Sequence, residues 1–358
     1  MSPHQDPSGN VPVGRRILGA LAPLLPGAAR FRLLGLPAGE LHGNPAGLIP
    51  GYHAGPGPVG AVHHLPGGVA WGRGAHLDAR YRLIHLLSPG INRSFDYWML
   101  KRQRFLPKLM PLGHETVSLA ADGQANYYHW MLDVLPRLAA LEPESLPHRH
   151  YLVSQEFPFQ QQTFDLLPIP GNARTAIVSH QFYTASKLVV PLVPLGVSQE
   201  NIRFVRHLLL ERTGLADTPS NDERIYISRR HASSRRMLNE DDLYPLLKKY
   251  HFRVCYLEQL SLKEQMLLFH GARTILAPHG AAWTNLIFSR PGTLALEIVP
   301  EGLENARPGA YLLYERLAVA AGIRYERIIA QTSRGGHPHA GDLRLEPESL
   351  EKVLRRLE

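Results

Sequence analysis

Residues 276–300, LAPHGAAWTNLIFSRPGTLALEIVP, constrain the fold more than any other stretch. Residues 273–277 predict a short apolar strand, and Pro278, His279, Gly280 and Ala281 make a tight turn into a helix that begins near Ala282. A helix start gathers unpaired backbone N–H groups and the positive end of the helix dipole, which suits a phosphate. Gly280 allows a close backbone approach. Pro291 and Gly292 then turn the chain into a second apolar strand, 293–299, with Glu297 near its C-terminal end. In open α/β sheets that edge is where ligands bind. Short glycine turns also occur in βαβ units that bind nothing, so the stretch speaks for the fold class before it speaks for a function.

At 358 residues the chain suggests two domains, with length for a core in each. Apolar residues at 44% and charged residues at 20% describe a folded chain and exclude a disordered one. The formal charge of +8 comes almost wholly from arginine, since only seven residues are lysine. Arginine forks suit phosphate and carboxylate, yet no dense basic block marks a nucleic-acid stripe. Only particular arginines therefore carry an argument. The single cysteine, Cys255, lies in the apolar run 252–257 and reads as a buried, inert thiol. The chain has nineteen histidines but no CxxC or HExxH pattern, so no metal site is expected. His63 and His64, like His337 and His339, sit among glycine and proline and are expected in solvated loops. Arg15 and Arg16 precede ILGALAPLLPGAA at 17–29, which imitates a secretory signal. Pro23 and Pro26 interrupt that run and it is too short to span a bilayer; a docking or membrane-surface segment and loose packing against the body are the other readings.

Residues 1–74 are rich in glycine and proline and predict a tail, loops and short strands. Firmer structure is expected at 83–87 and 95–105, with a strand at 116–120. Residues 126–141, NYYHWMLDVLPRLAAL, predict a helix on which His129, Asp133 and Arg137 share a face at i, i+4 and i+8. Pro136 should bend it just after Asp133. Two readings of the pair stand: a helix-surface hydrogen bond with Arg137 as third partner, or a site in which His129 or Asp133 takes a proton from a hydroxyl. Apolar runs at 150–154, 175–179 and 187–190, alternating with helical segments such as 157–167, suggest a parallel sheet. A helix at 201–212 leads to the most polar linker, 213–223, which places the domain boundary there.

Beyond it the strand 224–228 runs into a loop holding Arg229, Arg230, Arg235 and Arg236. A helix at 239–250 with Asn239 as N-cap, a strand at 252–257 and a helix at 260–271 lead to the HGA turn. A helix at 310–322, a strand at 325–330 and a terminal helix at 347–357 close the chain. The βαβαβαβ order is a Rossmann-like half. By itself the arginine loop reads as solvated surface; paired with the HGA turn, convergence of two or more arginines on a diphosphate is the better reading.

Three segments, NYYHWMLDVLPRL (126–138), YISRRHASSRRMLNEDDL (226–243) and APHGAAWTNLIFSRPGTLALEI (277–298), in this order and spacing resemble the family 61 glycosyltransferases, the capsular polysaccharide biosynthesis type. The resemblance spans 126–300 and does not reach the first hundred residues. It implies an α/β fold of GT-B type, two facing Rossmann-like domains with a cleft between them. It also implies inverting, metal-independent transfer of a sugar from a nucleotide donor, taken as UDP-linked, to a glycan or lipid-linked acceptor in surface polysaccharide synthesis. Residues 1–35 are then an N-terminal tail or docking segment, 36–215 the acceptor-side domain, 216–345 the nucleotide-sugar-binding domain, and 346–358 a terminal helix that can cross back to the first. Carried over by position, Arg229, Arg235, Ser228, His279, Gly280 and Ala281 are donor diphosphate contacts. Asn285 and Glu297 are nucleoside or sugar contacts, and His129 and Asp133 the catalytic pair. Trp283 stands where an aliphatic residue is expected. Asp133, oriented or assisted by His129, would be the base, while arginine forks and helix-start amides meet the charge of the departing diphosphate. No nucleic-acid partner is expected, and the location expected is cytoplasmic, with peripheral membrane contact through the N-terminus left open. A sugar-nucleotide epimerase of the GT-B kind and a non-catalytic nucleotide-sugar or glycan-binding protein remain as alternatives.

Overall fold

A computed structural model describes residues 53–56, 60–79, 83–88, 109–179, 181–333, 338 and 340–357. The segment 17–29, the run 95–105, and His337 and His339 lie outside the described residues. The described chain is mixed α/β with three sheets, and it divides into two compact units that interleave along the sequence. The first takes its residues from Met1–Gln124, Arg137–Glu156 and Ile169–Val193, the second from Ala125–Pro136, Phe157–Pro168 and Pro194–Glu358.

The strands of the first unit are β1 (His53–Pro56), β2 (Ala61–Pro66), β3 (Val69–Trp71), β4 (Ala75–Leu77), β5 (Leu109–Pro111), β6 (Glu115–Ser118), β7 (His150–Val153), β8 (Arg174–Ala176), β9 (Phe182–Thr184) and β10 (Lys187–Leu192). They form a sheet ordered β1-β2-β10-β6-β7-β8, parallel from β10 onward, and a smaller sheet ordered β4-β3-β9-β5. His63 and His64, expected in a loop, lie in β2. That strand is hydrogen-bonded on both sides, by β1 and β10, so pairing overrides the glycine and proline around it and His63 is buried. His76 in β4 is also buried: Nδ1 donates to the Leu87 carbonyl at 2.6 Å and Nε2 lies 2.9 Å from Ser118 Oγ. Burial pushes its pKa down to about 3.

The second unit carries β11 (Glu223–Ile227), β12 (Phe252–Cys255), β13 (Ala272–Pro278), β14 (Leu294–Pro300), β15 (Arg324–Thr332) and β16 (Leu343–Arg344). Their order is β12-β11-β13-β14-β15-β16, parallel except for the last pair. This is a doubly wound order whose direction reverses between β11 and β13. The helices that join the strands have readable causes. Ser261 and Glu264 cap Leu262–Gly271 reciprocally, with Ser261 N–H donating to Glu264 Oε2 at 2.7 Å. Glu240–Lys249 opens on Glu240, Asp241 and Asp242 and closes on two lysines, which complements its dipole. Asn239, expected to cap that helix, instead exchanges two hydrogen bonds with the Leu345 backbone, at 2.9 and 3.1 Å. Cys255 is buried, and burial pushes its thiol pKa up, as the inert reading requires.

The polar stretch 213–223 does not divide the units. The helix Gln199–Arg206 before it belongs to the second unit, where Ile202 and Val205 are buried and Arg206 Nη1 donates to the carbonyls of Ile287 (2.8 Å) and Ser289 (2.5 Å). Polarity marked exposure there rather than a break in packing. In the terminal helix Pro347–Leu354, Leu350 and Leu354 pack with Leu243, Leu247, Leu296 and Ile328 in the core of the second unit. No helix among the described residues is long and apolar enough to cross a membrane.

His76 gives the first unit a defined acid sensitivity. It takes up a proton near pH 6.5 when unfolded and only near 3 when folded. Between those values the unfolded state binds the extra proton, so stability falls as pH drops, by up to about 1.4 kcal/mol per pH unit from this residue. Urea melts between pH 7 and 4 should show a shallower pH dependence in His76→Gln than in the wild type; equal slopes would place the sensitivity in other groups.

Candidate functional site

Two loops leave the carboxyl ends of β11 and β13, neighbours at the point where the strand order reverses, which is where an open α/β sheet has its ligand crevice. One brings Ser228 and the arginine loop, the other His279, Gly280 and Ala281. They meet closely: a Cβ on Gly280 would lie 2.5 Å from Arg229 Nη1. The φ of Gly280, 161°, is extended backbone open to any residue. Glycine is needed here because a guanidinium lies against it.

The four arginines of the loop divide into two kinds. Arg230 is held by Glu240 (3.0 Å) and Asp241, and Arg236 by Asp342 (2.6 and 3.1 Å). Arg229 and Arg235 form no ion pair among the described residues. Arg229 Nη2 donates to the Ser234 carbonyl at 2.9 Å, but the Nε groups of both residues are buried with no acceptor. Burial, then the charge of Arg235, pushes the Arg229 pKa down to about 10, and burial lowers that of Arg235. Two half-buried cations that repel each other and keep donors unfilled are stabilised by an anion. Arg235 also adopts a left-handed φ of 56°, a conformation that costs about 1–2 kcal/mol in an L-residue. Ser228 is buried, and its hydroxyl accepts from Arg230 N–H at 3.1 Å, shaping the start of the loop.

After the HGA turn the chain forms a 3-10 helix, Ala281–Phe288, in place of the α-helix expected. Trp283 is buried in it, with Nε1 donating to the Pro278 carbonyl at 3.2 Å, so the indole closes the turn as core. Glu297, in β14, is 0% exposed: one oxygen pairs with His279 Nδ1 at 2.6 Å and the other accepts from Tyr325 Oη. Asn285 is buried too, accepting from Tyr127 Oη at 2.5 Å and donating to Gln265 at 3.2 Å. Both ends of each side chain are engaged inside the unit. Geometrically they support their neighbours: Glu297 orients His279, and Asn285 holds Tyr127.

The helix expected at 126–141 changes character along its length. Tyr127–His129 is α-helical, Trp130–Val134 a π turn in which Leu135 N–H reaches back to the Trp130 carbonyl, and Leu135–Ala140 a 3-10 helix. Pro136 has no N–H to give the Leu132 carbonyl, which Asn201 Nδ2 meets at 3.5 Å. The wider turn shifts the phase of the face. His129 and Asp133 remain side by side, Nδ1 to Oδ2 at 2.6 Å, while Arg137 is buried away from them and donates to the Ala120 carbonyl at 3.2 Å. Asp133 Oδ1 accepts from Gly196 N–H at 2.7 Å. His129 is the more exposed partner, 44% against 14%.

The two groups of residues are linked by aromatic rings. Tyr314, on the helix Leu313–Ala321, lies 5.2 Å from the His279 ring and 6.5 Å from that of Tyr128, which is 5.2 Å from His129. Tyr127 and Tyr128 lie in the first motif, where residue type alone does not separate them from ordinary core aromatics. Tyr314 gave no signal, since it falls outside all three motifs on a helix that reads as ordinary core.

Fold and site together define an α/β unit with a cationic crevice and a histidine–carboxylate pair. Residues 127–296 match the family model Glycosyltransferase 61, and this part of the chain is similar to that family, whose name implies a donor and an acceptor substrate. The match includes His129, Asp133, the arginine loop and the HGA turn, and stops before Glu297 and Tyr314. No curated protein matches the chain.

Gly280→Ala tests the contact at the switch point. The far end of Arg229 can swing aside, so the melting temperature should change little, while affinity for inorganic pyrophosphate, read by calorimetry, should fall about tenfold, or about 1.4 kcal/mol. Unchanged affinity would show that the seat of this guanidinium does not matter for anion binding.

Proposed function

We propose that the protein is an inverting, metal-independent glycosyltransferase of GT-B type that moves a sugar from a nucleotide-sugar donor, UDP-linked, to a glycan or lipid-linked acceptor in surface polysaccharide synthesis. The observation that carries this reading is the Arg229–Arg235 pair: two cations that hold no carboxylate among the described residues, beside Gly280 at the switch point of a doubly wound sheet, inside the family-matched segment. The GT-B type rests on the family and on the parallel strands that each unit carries. The polysaccharide pathway and a cytoplasmic location rest on the family resemblance.

In this reading His129 is the base and Asp133 positions it. Both carboxylate oxygens of Asp133 are engaged, by His129 Nδ1 and Gly196 N–H, and the imidazole is the more exposed group. His129 Nε2 takes the proton of the acceptor hydroxyl as its oxygen bonds to the anomeric carbon from the face opposite the nucleotide. The bond from that carbon to the diphosphate oxygen breaks, and its electron pair leaves with the diphosphate. Arg229, Arg235 and the backbone N–H groups at the start of the 3-10 helix receive the growing charge. His279, fixed by Glu297, lines the same turn.

Release of nucleoside diphosphate from a panel of UDP-, GDP- and CMP-linked sugars tests this, with the monophosphate followed for the CMP conjugates. One donor class should be turned over, with EDTA having no effect. His129→Ala should lower the rate at least a hundredfold while leaving nucleotide affinity within about twofold, and Asp133→Asn should lower it less. Full activity in His129→Ala would remove it as the base, and conversion of the sugar while it stays attached to the nucleotide would favour the epimerase.

A further inference from the structure

Tyr314 joins the two halves of the proposed site. It stands in the first turn of the Leu313–Ala321 helix and is 4% exposed. On one side its ring meets His279, whose turn carries Gly280 and with it the Arg229 guanidinium. On the other it meets Tyr128, next to His129. Its hydroxyl makes no hydrogen bond among the described residues, which leaves the O–H available to a ligand. The charges of Arg229, Arg235 and Glu297 all bear on it. Burial, then Glu297, pushes its pKa up, so the phenol is a neutral O–H donor throughout the working range.

We propose that Tyr314 contacts the substrate, its hydroxyl donating a hydrogen bond to the sugar-side phosphate of the nucleotide-sugar donor. The assignment rests on the glycosyltransferase reading above. Ring contacts run from His279, on the turn that seats Arg229, through Tyr314 to Tyr128 beside His129, so a donor with its diphosphate on the arginines and its anomeric carbon at His129 would pass Tyr314. An O–H donor there meets an oxygen whose negative charge grows as the sugar bond breaks, so the contact serves the reaction more than ground-state binding. The ring has a second task, packing between His279 and Tyr128, which phenylalanine can perform.

Tyr314→Phe separates the two tasks. Its melting temperature and its affinity for the nucleoside monophosphate should match the wild type, its affinity for the corresponding diphosphate should fall about tenfold, and donor turnover should fall 10–100-fold. A uniform loss for monophosphate and diphosphate, or a lower melting temperature that accounts for the lost activity, would mean that Tyr314 only shapes the fold and would overturn the proposal. So would unchanged turnover and diphosphate affinity in a variant tested beside an Arg229→Ala protein that has lost binding, a result that leaves the glycosyltransferase reading standing. A wild type that binds neither nucleotide nor pyrophosphate would overturn both.

Discussion

The guanidinium of Arg229 can lie across the end of β13 only because residue 280 has no side chain. That approach brings the loops after β11 and β13 together where the strand order reverses. It also fixes what the crevice offers a ligand: a planar cationic fork backed by buried core, with His279 on the same turn. The sheet supplies the position, since parallel strands end their carboxyl edges side by side. Glycine supplies the space.

The distribution of charge around this contact is selective. The chain places Glu240, Asp241 and Asp342 on Arg230 and Arg236 and none of them on Arg229 or Arg235. Glu297 lies close enough for its charge to bear on Arg235, yet its oxygens are spent on His279 and Tyr325. A carboxylate facing the arginine pair would compete with a phosphate; buried behind His279, it fixes the imidazole instead. The same economy governs the other pair, where Asp133 is held by Gly196 N–H and in turn holds the more exposed His129. Each histidine of the site is oriented by a carboxylate that itself faces inward.

The succession of strands and helices in the second unit was legible because β11, β13 and β14 are apolar runs bounded by glycine, proline or arginine, and because the helices between them carry plain end signals such as Ser261 and Glu264. The arginine loop and the HGA turn were legible as neighbours; the ion pairs were not, and they fall on Arg230 and Arg236 while Arg229 and Arg235 form none among the described residues. Interleaving of the units was not legible: amphipathic helices such as Gln199–Arg206 announce a buried face without saying which sheet it covers. The π turn at Trp130–Val134 was hidden because Pro136 predicts a bend and not the wider turn that accommodates it. Glu297 and Asn285 illustrate a further limit: residue type and strand position predict a polar contact, but only packing decides whether it faces a ligand or another side chain.

Calorimetric titration of UDP, GDP and CMP into the wild type, Arg229→Ala, Arg235→Ala and the double variant tests whether Arg229 and Arg235 form one diphosphate site. The expected result is selective micromolar binding of one diphosphate, a loss of at least tenfold in each single variant, or about 1.4 kcal/mol, and a double variant weaker than either but by less than the sum, as expected of groups that share a ligand. Absence of nucleotide binding in the wild type, or wild-type affinity in both single variants, would contradict it.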